Sequence, residues 1–491
     1  MSFYSQDEQR RYVVSFKKSK ISKMEAADIL KQEVRILTDF KIDDGVSKLS
    51  SSIKIDPDQA LHFENIGTTI ISLSDEDVKK VKENNNIEQI VEDYPVYALG
   101  EQHKFKNCEN EELFRAGYNR GYQTAMQEVY RNNYPCYNQL NVPSHYNISK
   151  QVSDCPPGMH PECINDDPVV EPPVCPPGMH LECVPDVPLP PEDDLQPILW
   201  NIQLINANKV WSRVTGRNVK VGIIDTGIDN NHPDISVVDG ISFVLADDDN
   251  IKTFTNSWED DNGHGTHCAG IIGAQNNKIG VVGVAPECSL FSIKVLSSSG
   301  SGQLSWILGG MGWAAEQKMD VVSMSLGSMV FEADAECSVA YQRAAQELIN
   351  QGCIVIAAAG NSGEEKFPWV GLPARCSEFM AVGAIDKNKN IASFSSNGPS
   401  SLPIDSGVEI CAPGVTVKST WLNGKYKEAS GTSMACPHVA GAAALLKQLH
   451  PTWSPMQIRQ KLRSTAQDLG APGNDPKYGG GLLDCYRAIF D

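Results

Sequence analysis

The chain has 491 residues, of which 61 are acidic and 42 are basic, so its formal net charge is −19. This negative balance, without any cluster of Lys or Arg, argues against nucleic acid as a partner. No apolar run approaches the roughly 18–20 residues that a membrane-spanning helix requires, so we expect no membrane association. The length predicts about three domains.

The first residues, MSFYSQDE, show neither the basic segment nor the apolar segment of a secretion signal. As written, the sequence therefore predicts a cytoplasmic protein. The alternative is a secreted protein whose signal is absent from this sequence.

Residues 1–100 predict a small α+β domain. Residues 11–16 and 68–73 have strand character, and residues 87–99 return to it after a short charged helix that opens at Ser74. Ser22 and Glu25 have capping-box spacing ahead of a helical pattern. With one strand that the pattern does not place, this order is typical of a ferredoxin-like layer of helices on an antiparallel sheet.

A long segment, residues 101–194, follows this domain. Residues 111–130 carry apolar side chains at helical spacing and predict an amphipathic helix that packs on a neighbour. Residues 154–194 contain ten Asp or Glu, twelve Pro and no Lys or Arg. A stretch of this composition buries little surface, so we expect an extended acidic linker.

The linker contains one nine-residue element twice, as CPPGMHPEC at 155–163 and CPPGMHLEC at 175–183. Two small disulfide loops are one interpretation, and they would require an oxidising compartment. The other is a zinc site of Cys₄ or Cys₂His₂ type that spans both copies, although the C-x₇-C spacing fits neither familiar zinc-ligand spacing. Its ligands would be drawn from Cys155, His160, Cys163, Cys175, His180 and Cys183.

Residues 195–491 contain apolar runs that are typical of strands buried on both faces of a sheet. They cover residues 219–225, 289–295, 321–325 and 354–358. Asp225 ends the first of these runs. His264 stands on a tight turn, in NGHGTHCAG at 262–270, ahead of a helix of small residues. A carboxylate that orients an imidazole supplies two of the three groups that acyl transfer by serine needs.

Ser433 is the candidate for the third group. It lies in GTSMACPH at 431–438, between a glycine-rich turn and a small-residue helix. Unpaired N–H groups and the helix dipole favour negative charge there, which suits a nucleophile whose attack creates an oxyanion. A helix-capping serine is the commoner use of such a residue. The chain order Asp225, His264, Ser433 matches a known order of catalytic triads, and this match favours a nucleophile over a helix cap for Ser433.

These motifs resemble those of the subtilisin-like serine proteases (subtilases), over about residues 195–491. The resemblance implies an α/β fold, with a mainly parallel sheet and helices on both faces, and endopeptidase activity through an acyl-enzyme. In AAAGNSG at 357–363, Asn361 matches the oxyanion-hole asparagine of the family. Residues 1–100 are similar to the propeptide of many subtilases, which implies a self-processed zymogen inhibited in cis by its own propeptide.

The resemblance also implies a structural calcium ion. The segment QNNKIGV at 275–281 is similar to the calcium loop of the family, in which side-chain and backbone oxygens of mixed type bind the ion. An ordinary turn is the alternative for two asparagines close to a glycine. Matched residue by residue, the ligands are Gln196, Asp234, Gln275, Asn277, Ile279 and Val281.

Two segments resemble the strand edges between which subtilases hold an extended peptide. Main-chain pairing of this kind leaves specificity to side-chain pockets. Gly371 matches the base of the first pocket and has no carboxylate nearby in sequence, which predicts a roomy uncharged pocket for a large apolar residue. The residues of the two edges are Gly300, Ser301 and Gly302, and Ser325, Leu326 and Gly327.

The other cysteines form no obvious disulfide framework, and Cys268 resembles the free cysteine of thiol-dependent subtilases. Two other classes of function stay open on the sequence. One is a scaffold protein that kept the fold, although none of the four catalytic positions is missing. The other is a metal-responsive regulator whose sensor is the duplicated element. We expect a monomer that acts on protein or peptide substrates.

Overall fold

The protein is described here by a computed structural model, which covers residues 10–33, 42–44, 60–99, 159–165, 179–185, 196–248, 251–254, 257–331, 335–398 and 407–491. One compact unit comprises the described residues up to 99 together with those from 196 onward, and the described residues between them belong to a second unit. Within the first unit, we call residues 10–99 the N-terminal domain and residues 196–491 the C-terminal domain.

The N-terminal domain is built on a five-stranded sheet. Its elements are β1 (Arg10–Phe16), α1 (Lys23–Glu33), β2 (Ile42–Asp44), β3 (Ala60–Phe63), β4 (Thr68–Leu73), α2 (Asp75–Glu83) and β5 (Ile87–Glu92). The strand order is β2-β3-β4-β1-β5, in which the last four strands pair antiparallel as in a ferredoxin-like sheet and β2 is parallel to β3. The sequence pattern left one strand unplaced, whereas the structure has two outside the predicted segments, β2 and β3, whose three and four residues are too few for a periodic signal.

Both faces of this small sheet are buried, and the alternation along β1 shows how. Successive side chains of a strand point to opposite faces. Tyr12, Val14 and Phe16 pack in a cluster with residues of α1 and α2. Val13, between them, belongs instead to the large core of the C-terminal domain. One face of the sheet therefore carries its own helices, and the other face packs on the C-terminal domain.

The C-terminal domain is built on a seven-stranded sheet. Its strands are β9 (Lys220–Asp225), β10 (Val237–Ser242), β13 (Ser289–Lys294), β15 (Val321–Met324), β17 (Ile354–Ala358), β18 (Met380–Ile385) and β19 (Ile410–Pro413). They lie in the order β10-β13-β9-β15-β17-β18-β19, and all six neighbouring pairs are parallel. The predicted fold class, a mainly parallel sheet with helices, is confirmed.

Seven helices and two hairpins belong to the described part of this domain. The helices are α3 (Trp200–Leu204), α4 (His264–Gly273), α5 (Leu304–Glu316), α6 (Val339–Asn350), α7 (Thr432–Leu449), α8 (Pro455–Ser464) and, at the end of the chain, α9 (Cys485–Phe490). The hairpins are β11 (Leu245–Asp248) with β12 (Ile251–Phe254), and β20 (Val417–Trp421) with β21 (Lys425–Ala429). No helix in the described ranges is long and apolar enough to span a bilayer.

The last strand of the N-terminal domain pairs with two strands of the C-terminal domain. This strand, β6 (Pro95–Ala98), pairs antiparallel with β14 (Ser301–Gln303) on one side and with β16 (Leu326–Gly327) on the other. The pairing joins the two domains through backbone hydrogen bonds, which do not depend on side-chain identity.

In the second unit, β7 (Met159–Asn165) and β8 (Met179–Pro185) pair antiparallel. Each strand contains the last part of one copy of the duplicated element, so the two copies pair with each other. The predicted helix at 111–130 lies outside the described residues, as do Cys155 and Cys175.

In the register of this hairpin, Cys163 pairs with Leu181 and Cys183 pairs with Pro161. The zinc hypothesis stays a prediction.

One disulfide joins two parts of the C-terminal domain. Cys337, just before α6, is bonded to Cys376, 39 residues further along the chain, with a Cα–Cα distance of 5.2 Å. The sequence did not reveal this pair because a separation of this length carries no recognisable spacing. The free cysteines among the described residues are Cys268, Cys288, Cys353, Cys411, Cys436 and Cys485.

Candidate active site

Asp225 and His264 meet at the edge where β9 ends. Asp225 is the last residue of β9, and His264 is the first residue of α4. The His264 Nδ1 lies 2.7 Å from Asp225 Oδ1, and both residues are buried. The close approach of α4 depends on Gly265, where a Cβ atom would lie 2.1 Å from the carbonyl oxygen of Gly227.

The electrostatics of this pair favour a protonatable imidazole. Burial lowers the pKa of His264, but the carboxylate of Asp225 raises it by attraction and hydrogen bonding, and Asp260 raises it further, so the pKa lies above its ordinary value. Because a carboxylate accepts hydrogen bonds, the Nδ1 of neutral His264 donates and Nε2 carries the lone pair. Nε2 is buried and has no hydrogen-bond partner among the described residues.

Ser433 is the second residue of α7 and is fully buried. Its hydroxyl donates to the carbonyl oxygen of Ser325 at 2.9 Å, and the hydroxyl of Ser325 donates in turn to the carbonyl oxygen of Ser433 at 2.9 Å. The N-terminus of α7 supplies backbone N–H groups and the positive end of a helix dipole.

Asn361 is held in one orientation. Its Oδ1 accepts hydrogen bonds from the backbone N–H and the hydroxyl of Thr432, both at 2.9 Å. Its Nδ2 consequently faces away from Thr432, and it donates to the carbonyl oxygen of Leu99 at 2.7 Å. The residue that the sequence singles out as an oxyanion-hole donor thus contacts a peptide carbonyl at the end of the N-terminal domain.

The two segments singled out as a peptide-binding cleft lie on either side of this peptide. The N–H of Ala98 donates to the carbonyl oxygen of Gly300 at 2.8 Å, and the N–H of Leu99 donates to that of Ser325 at 3.1 Å. These bonds continue the pairing of β6 with β14 and β16. The chain from Pro95 to Leu99 is therefore held as a substrate-like strand whose last carbonyl faces Asn361.

Comparisons with known proteins agree with this geometry. A family model described as the subtilase family matches residues 216–481, which is more than half of the chain. The chain belongs to the subtilase family. It is 45% identical to subtilisin E of Bacillus subtilis (strain 168) over 295 residues, which are 60% of this chain and 71% of that protein.

Two further relatives are covered almost completely by the match. This subtilase is 46% identical to subtilisin DY of Bacillus licheniformis over 295 residues and 44% identical to subtilisin Savinase of Lederbergia lenta over 294 residues. Each match covers 60% of this chain and 99% of the relative. The protein is a serine endopeptidase of the subtilisin type, so the prediction of an enzyme of this class is confirmed.

Two free thiols of the subtilase, Cys268 and Cys436, lie close to the candidate catalytic residues. The Sγ of Cys268 lies 3.5 Å from the carbonyl oxygen of Ser433, and a ligand atom from each of Asp225, His264 and Cys268 falls within 4.8 Å of the other two. Burial raises the pKa of the Cys268 thiol well above its ordinary value and that of Cys436 to about 12. Both thiols are therefore protonated and are not nucleophiles at neutral pH.

The six residues matched to the calcium loop lie together around one point. The side-chain nitrogen of Gln196 contacts the carbonyl oxygens of Gln275 at 3.1 Å and, at shorter range, of Ile279 and Val281. Its side-chain oxygen accepts from the backbone N–H of Asn277 at 2.9 Å.

Asp234 completes this cluster. Its Oδ2 accepts from the N–H of Val281 at 2.9 Å and from the hydroxyl of Tyr426 at 3.2 Å. Its Oδ1 is buried without a partner among the described residues, and burial raises the pKa of the carboxyl to about 6. Tyr426 was not singled out from the sequence, because it lies on a hairpin almost 200 residues from Asp234.

The sequence also missed the residues that hold the two domains together. The Oε1 of Gln89 accepts from the N–H of Val339 at 2.8 Å, at the start of α6. The Oδ1 of Asp93 accepts from the N–H of Ser305 at 2.8 Å, at the start of α5. These side chains satisfy backbone donors that the helices cannot pair internally. No local pattern marks them, since each pair is separated by more than 200 residues.

Proposed function

We propose that the subtilase is made as a zymogen and cuts its own chain between Leu99 and Gly100. The observation that carries this proposal is the 2.7 Å hydrogen bond from Asn361 Nδ2 to the Leu99 carbonyl oxygen, at the end of a strand paired on both sides. A carbonyl held by an oxyanion-hole donor is the group that a serine attacks.

In the proposed reaction, Asp225, His264 and Ser433 act as a triad. Ser433 Oγ rotates from the Ser325 carbonyl toward His264 Nε2, gives up its proton there and attacks the carbonyl carbon. Asp225 orients the imidazole and stabilises its protonated form. His264 then returns the proton to the leaving amine, and water hydrolyses the acyl-enzyme by the same route.

The tetrahedral intermediate carries its negative charge on the former carbonyl oxygen. Asn361 Nδ2 and the backbone N–H of Ser433 are the donors we assign to this oxyanion. The two hydrogen bonds from Thr432 to Asn361 Oδ1 support the assignment, because they fix the orientation of the amide. A donor that is already oriented needs no reorganisation when charge develops on the oxyanion.

We infer a preference for a large apolar residue before the cleaved bond. A Cβ atom on Gly327 would lie 3.2 Å from Leu99 Cδ1, so the glycine leaves room for that side chain. At Gly371 a side chain is excluded, because its Cβ would lie 2.5 Å from the carbonyl oxygen of Ser328. A peptide series that varies only this residue tests the preference, and a faster reaction with Asp or Lys than with Leu or Phe contradicts it.

We propose that residues 1–100 act as an inhibitor in cis until they dissociate. The buried face that includes Val13, the helix contacts of Gln89 and Asp93, and the ion pair of Arg343 with Glu88 support stable docking. Tethering keeps the domain at an effective concentration near millimolar, so even a modest inhibitor saturates the cleft. A second cut near Leu195 would release the acidic linker and place Gln196 at the new N-terminus.

We propose that the cluster around Gln196 holds a structural Ca²⁺. Three carbonyl oxygens converge on one point, and the Oδ1 of buried Asp234 has no hydrogen-bond partner among the described residues. An all-oxygen set of this kind suits Ca²⁺. Rotation of the Gln196 amide by half a turn would add its oxygen. When bound, the ion would stabilise the folded loop, and no step of the reaction depends on it.

We also propose that the protein matures in an oxidising compartment, which favours the secreted alternative over the cytoplasmic one. The Cys337–Cys376 disulfide supports this, because such bonds form and persist outside the reducing cytosol. Peptide mapping of the protein from its native source tests it. Two free thiols at these positions would contradict it.

The central test of the proposed chemistry is Ser433→Ala. The variant should fold normally and lose turnover of peptide substrates by about a millionfold, the loss known for the nucleophile of subtilisin. Asn361 and the cleft remain in place, so substrate binding should persist. Appreciable turnover in a folded Ser433→Ala variant would contradict the triad.

A further inference from the structure

The hairpin formed by β20 and β21 is fixed to the helix that carries His264. The hydroxyl of Thr420 donates to the carbonyl oxygen of Thr266 at 2.7 Å, and the hydroxyl of Ser419 donates to that of His267 at 2.8 Å. His267 Nε2 contacts the carbonyl oxygens of Val417 at 3.1 Å and Lys427 at 3.0 Å. The first turn of α4 and the hairpin therefore move as one body.

Trp421 of this hairpin packs directly on the residue before His264. A Cβ atom on Gly263 would lie 2.5 Å from the indole ring, so the ring fills the space that a side chain would take. On the other strand, the ammonium group of Lys427 lies over the same ring, 4.3 Å from its centroid. A cation this close to an aromatic face is attracted by the ring quadrupole.

We propose that Lys427, held on the Trp421 ring, is an electrostatic positioning residue that keeps His264 unprotonated, and so catalytically competent, in more acidic solution. The proposal rests on the proposed role of His264 as the general base. It concerns a cation on β21, the strand that precedes Ser433 in the chain.

The charged and titratable groups around His264 support this role. Burial lowers the pKa of His264, Asp225 and Asp260 raise it, and Lys427 opposes the two carboxylates. On the same helix, burial lowers the pKa of His267 to about 3, so this second imidazole is neutral at the pH of catalysis. The groups that face His264 are Asp225 from β9, Asp260 from the turn before α4, His267 and Cys268 from α4, and Lys427 from β21.

The sign of the effect follows from the chemistry. The base must be neutral to accept the Ser433 proton, so activity falls as the pH drops through the His264 pKa. Removing the Lys427 charge leaves burial alone to oppose the two carboxylates and therefore moves that fall to higher pH. One charge near the surface shifts a neighbouring group by about 0.3–0.5 pH unit, which is a two- to threefold loss of activity on the acid side.

The experiment compares pH profiles of kcat/KM for the matured wild type, Lys427→Met and Lys427→Arg, with an uncharged peptide substrate at low salt. Lys427→Met should shift the acid limb upward by about 0.3–0.5 pH unit and keep the alkaline plateau. Lys427→Arg, which retains charge and stacking, should restore the wild-type limb. About 1 M salt should largely remove the difference, because the Debye length falls to about 3 Å.

Lys418→Met is the matched control, since Lys418 lies over a different ring of the same hairpin, that of Tyr426, at 6.0 Å. It should leave the acid limb in place. An unshifted limb in Lys427→Met, or an equal loss of activity at every pH, would overturn the inference. Absence of activity in the wild type would instead contradict the proposed function, so the two failures are distinguishable.

Discussion

The faces of the two large sheets in the compact unit are covered in different ways. The seven-stranded sheet of the C-terminal domain is covered by helices of its own domain, and a disulfide links Cys337 to Cys376 within that domain. The five-stranded sheet of the N-terminal domain has its own helices on one face, and its other face contributes Val13 and Ile70 to the core of the larger domain. Residues 10–99 contain no cysteine.

This difference separates a domain whose sheet is covered by its own helices from one whose second face is covered by docking. A sheet needs apolar cover on both faces, and a domain of about 90 residues buries a smaller fraction of its surface than a larger one. The proposed catalytic residues belong to the C-terminal domain, while the strand that fills its cleft belongs to the N-terminal domain. Release of the N-terminal domain would therefore uncover the second face of its own sheet.

Among changes at the contact between the two domains, the largest effect is expected at Asn361. Asn361→Ala should leave docking of β6 intact, because the backbone pairing of that strand remains, but should lower kcat by about 10²–10³, or roughly 2.7–4 kcal/mol of transition-state stabilisation. Steady-state kinetics with peptide substrates checks this. An unchanged kcat would place the oxyanion hole elsewhere.

The calcium proposal predicts that the C-terminal domain gains part of its stability from the ion. Chelation of the matured enzyme should lower its Tm, and free calcium at about 100 times Kd corresponds to roughly 2.7 kcal/mol of stabilisation. Asp234→Ala should lose most of this response, whereas Asp239→Ala, a change on β10 outside the loop, should retain it. The melting temperature measured with and without chelator is the readout. If chelator leaves the Tm of the wild type unchanged, the loop is an ordinary turn.

Two adjacent valines of β1, Val13 and Val14, allow the two faces of the small sheet to be tested separately. Both are buried, but Val13 packs on the C-terminal domain and Val14 on the helices of its own domain. Val13→Ala in a separate 1–99 fragment should weaken inhibition in trans about tenfold, because roughly 1.5 kcal/mol of apolar contact is lost on docking.

Val14→Ala is the matched variant for the other face. It should lower the helical circular dichroism signal and thermal stability of the fragment itself, whereas Val13→Ala should leave both close to wild type. Equal loss of fragment stability in the two variants would show that the faces are not divided as described. No inhibition by the wild-type fragment at high excess would reject the inhibitor role altogether.

The sequence predicted the parts of the fold that depend on local pattern. The buried runs at 219–225, 289–295, 321–325 and 354–358 became β9, β13, β15 and β17 with ends shifted by at most one residue, because fully apolar strands are visible without context. The family motifs likewise directed attention to Asp225, His264 and Ser433. Contacts between segments that are distant in the chain could not be predicted from the sequence.

The missed features share one physical property. Gln89, Asp93 and Tyr426 are polar residues of ordinary local sequence, and their roles come from partners that only the tertiary fold brings near. The docking face was in part visible: β1 contains Val13 and Val14 in succession, where a strand with one solvent-exposed face would alternate apolar and polar side chains. Two neighbouring buried valines already indicate that something covers each face.

The most direct test of the central claim is the intact mass of the full chain after expression and incubation, wild type beside Ser433→Ala. The account predicts a wild-type fragment that ends at Leu99 and a Ser433→Ala chain that stays whole, because the bond after Leu99 is presented to its own Ser433. Cleavage after Leu99 in the Ser433→Ala chain, or a wild-type chain that is never cut there, would contradict it.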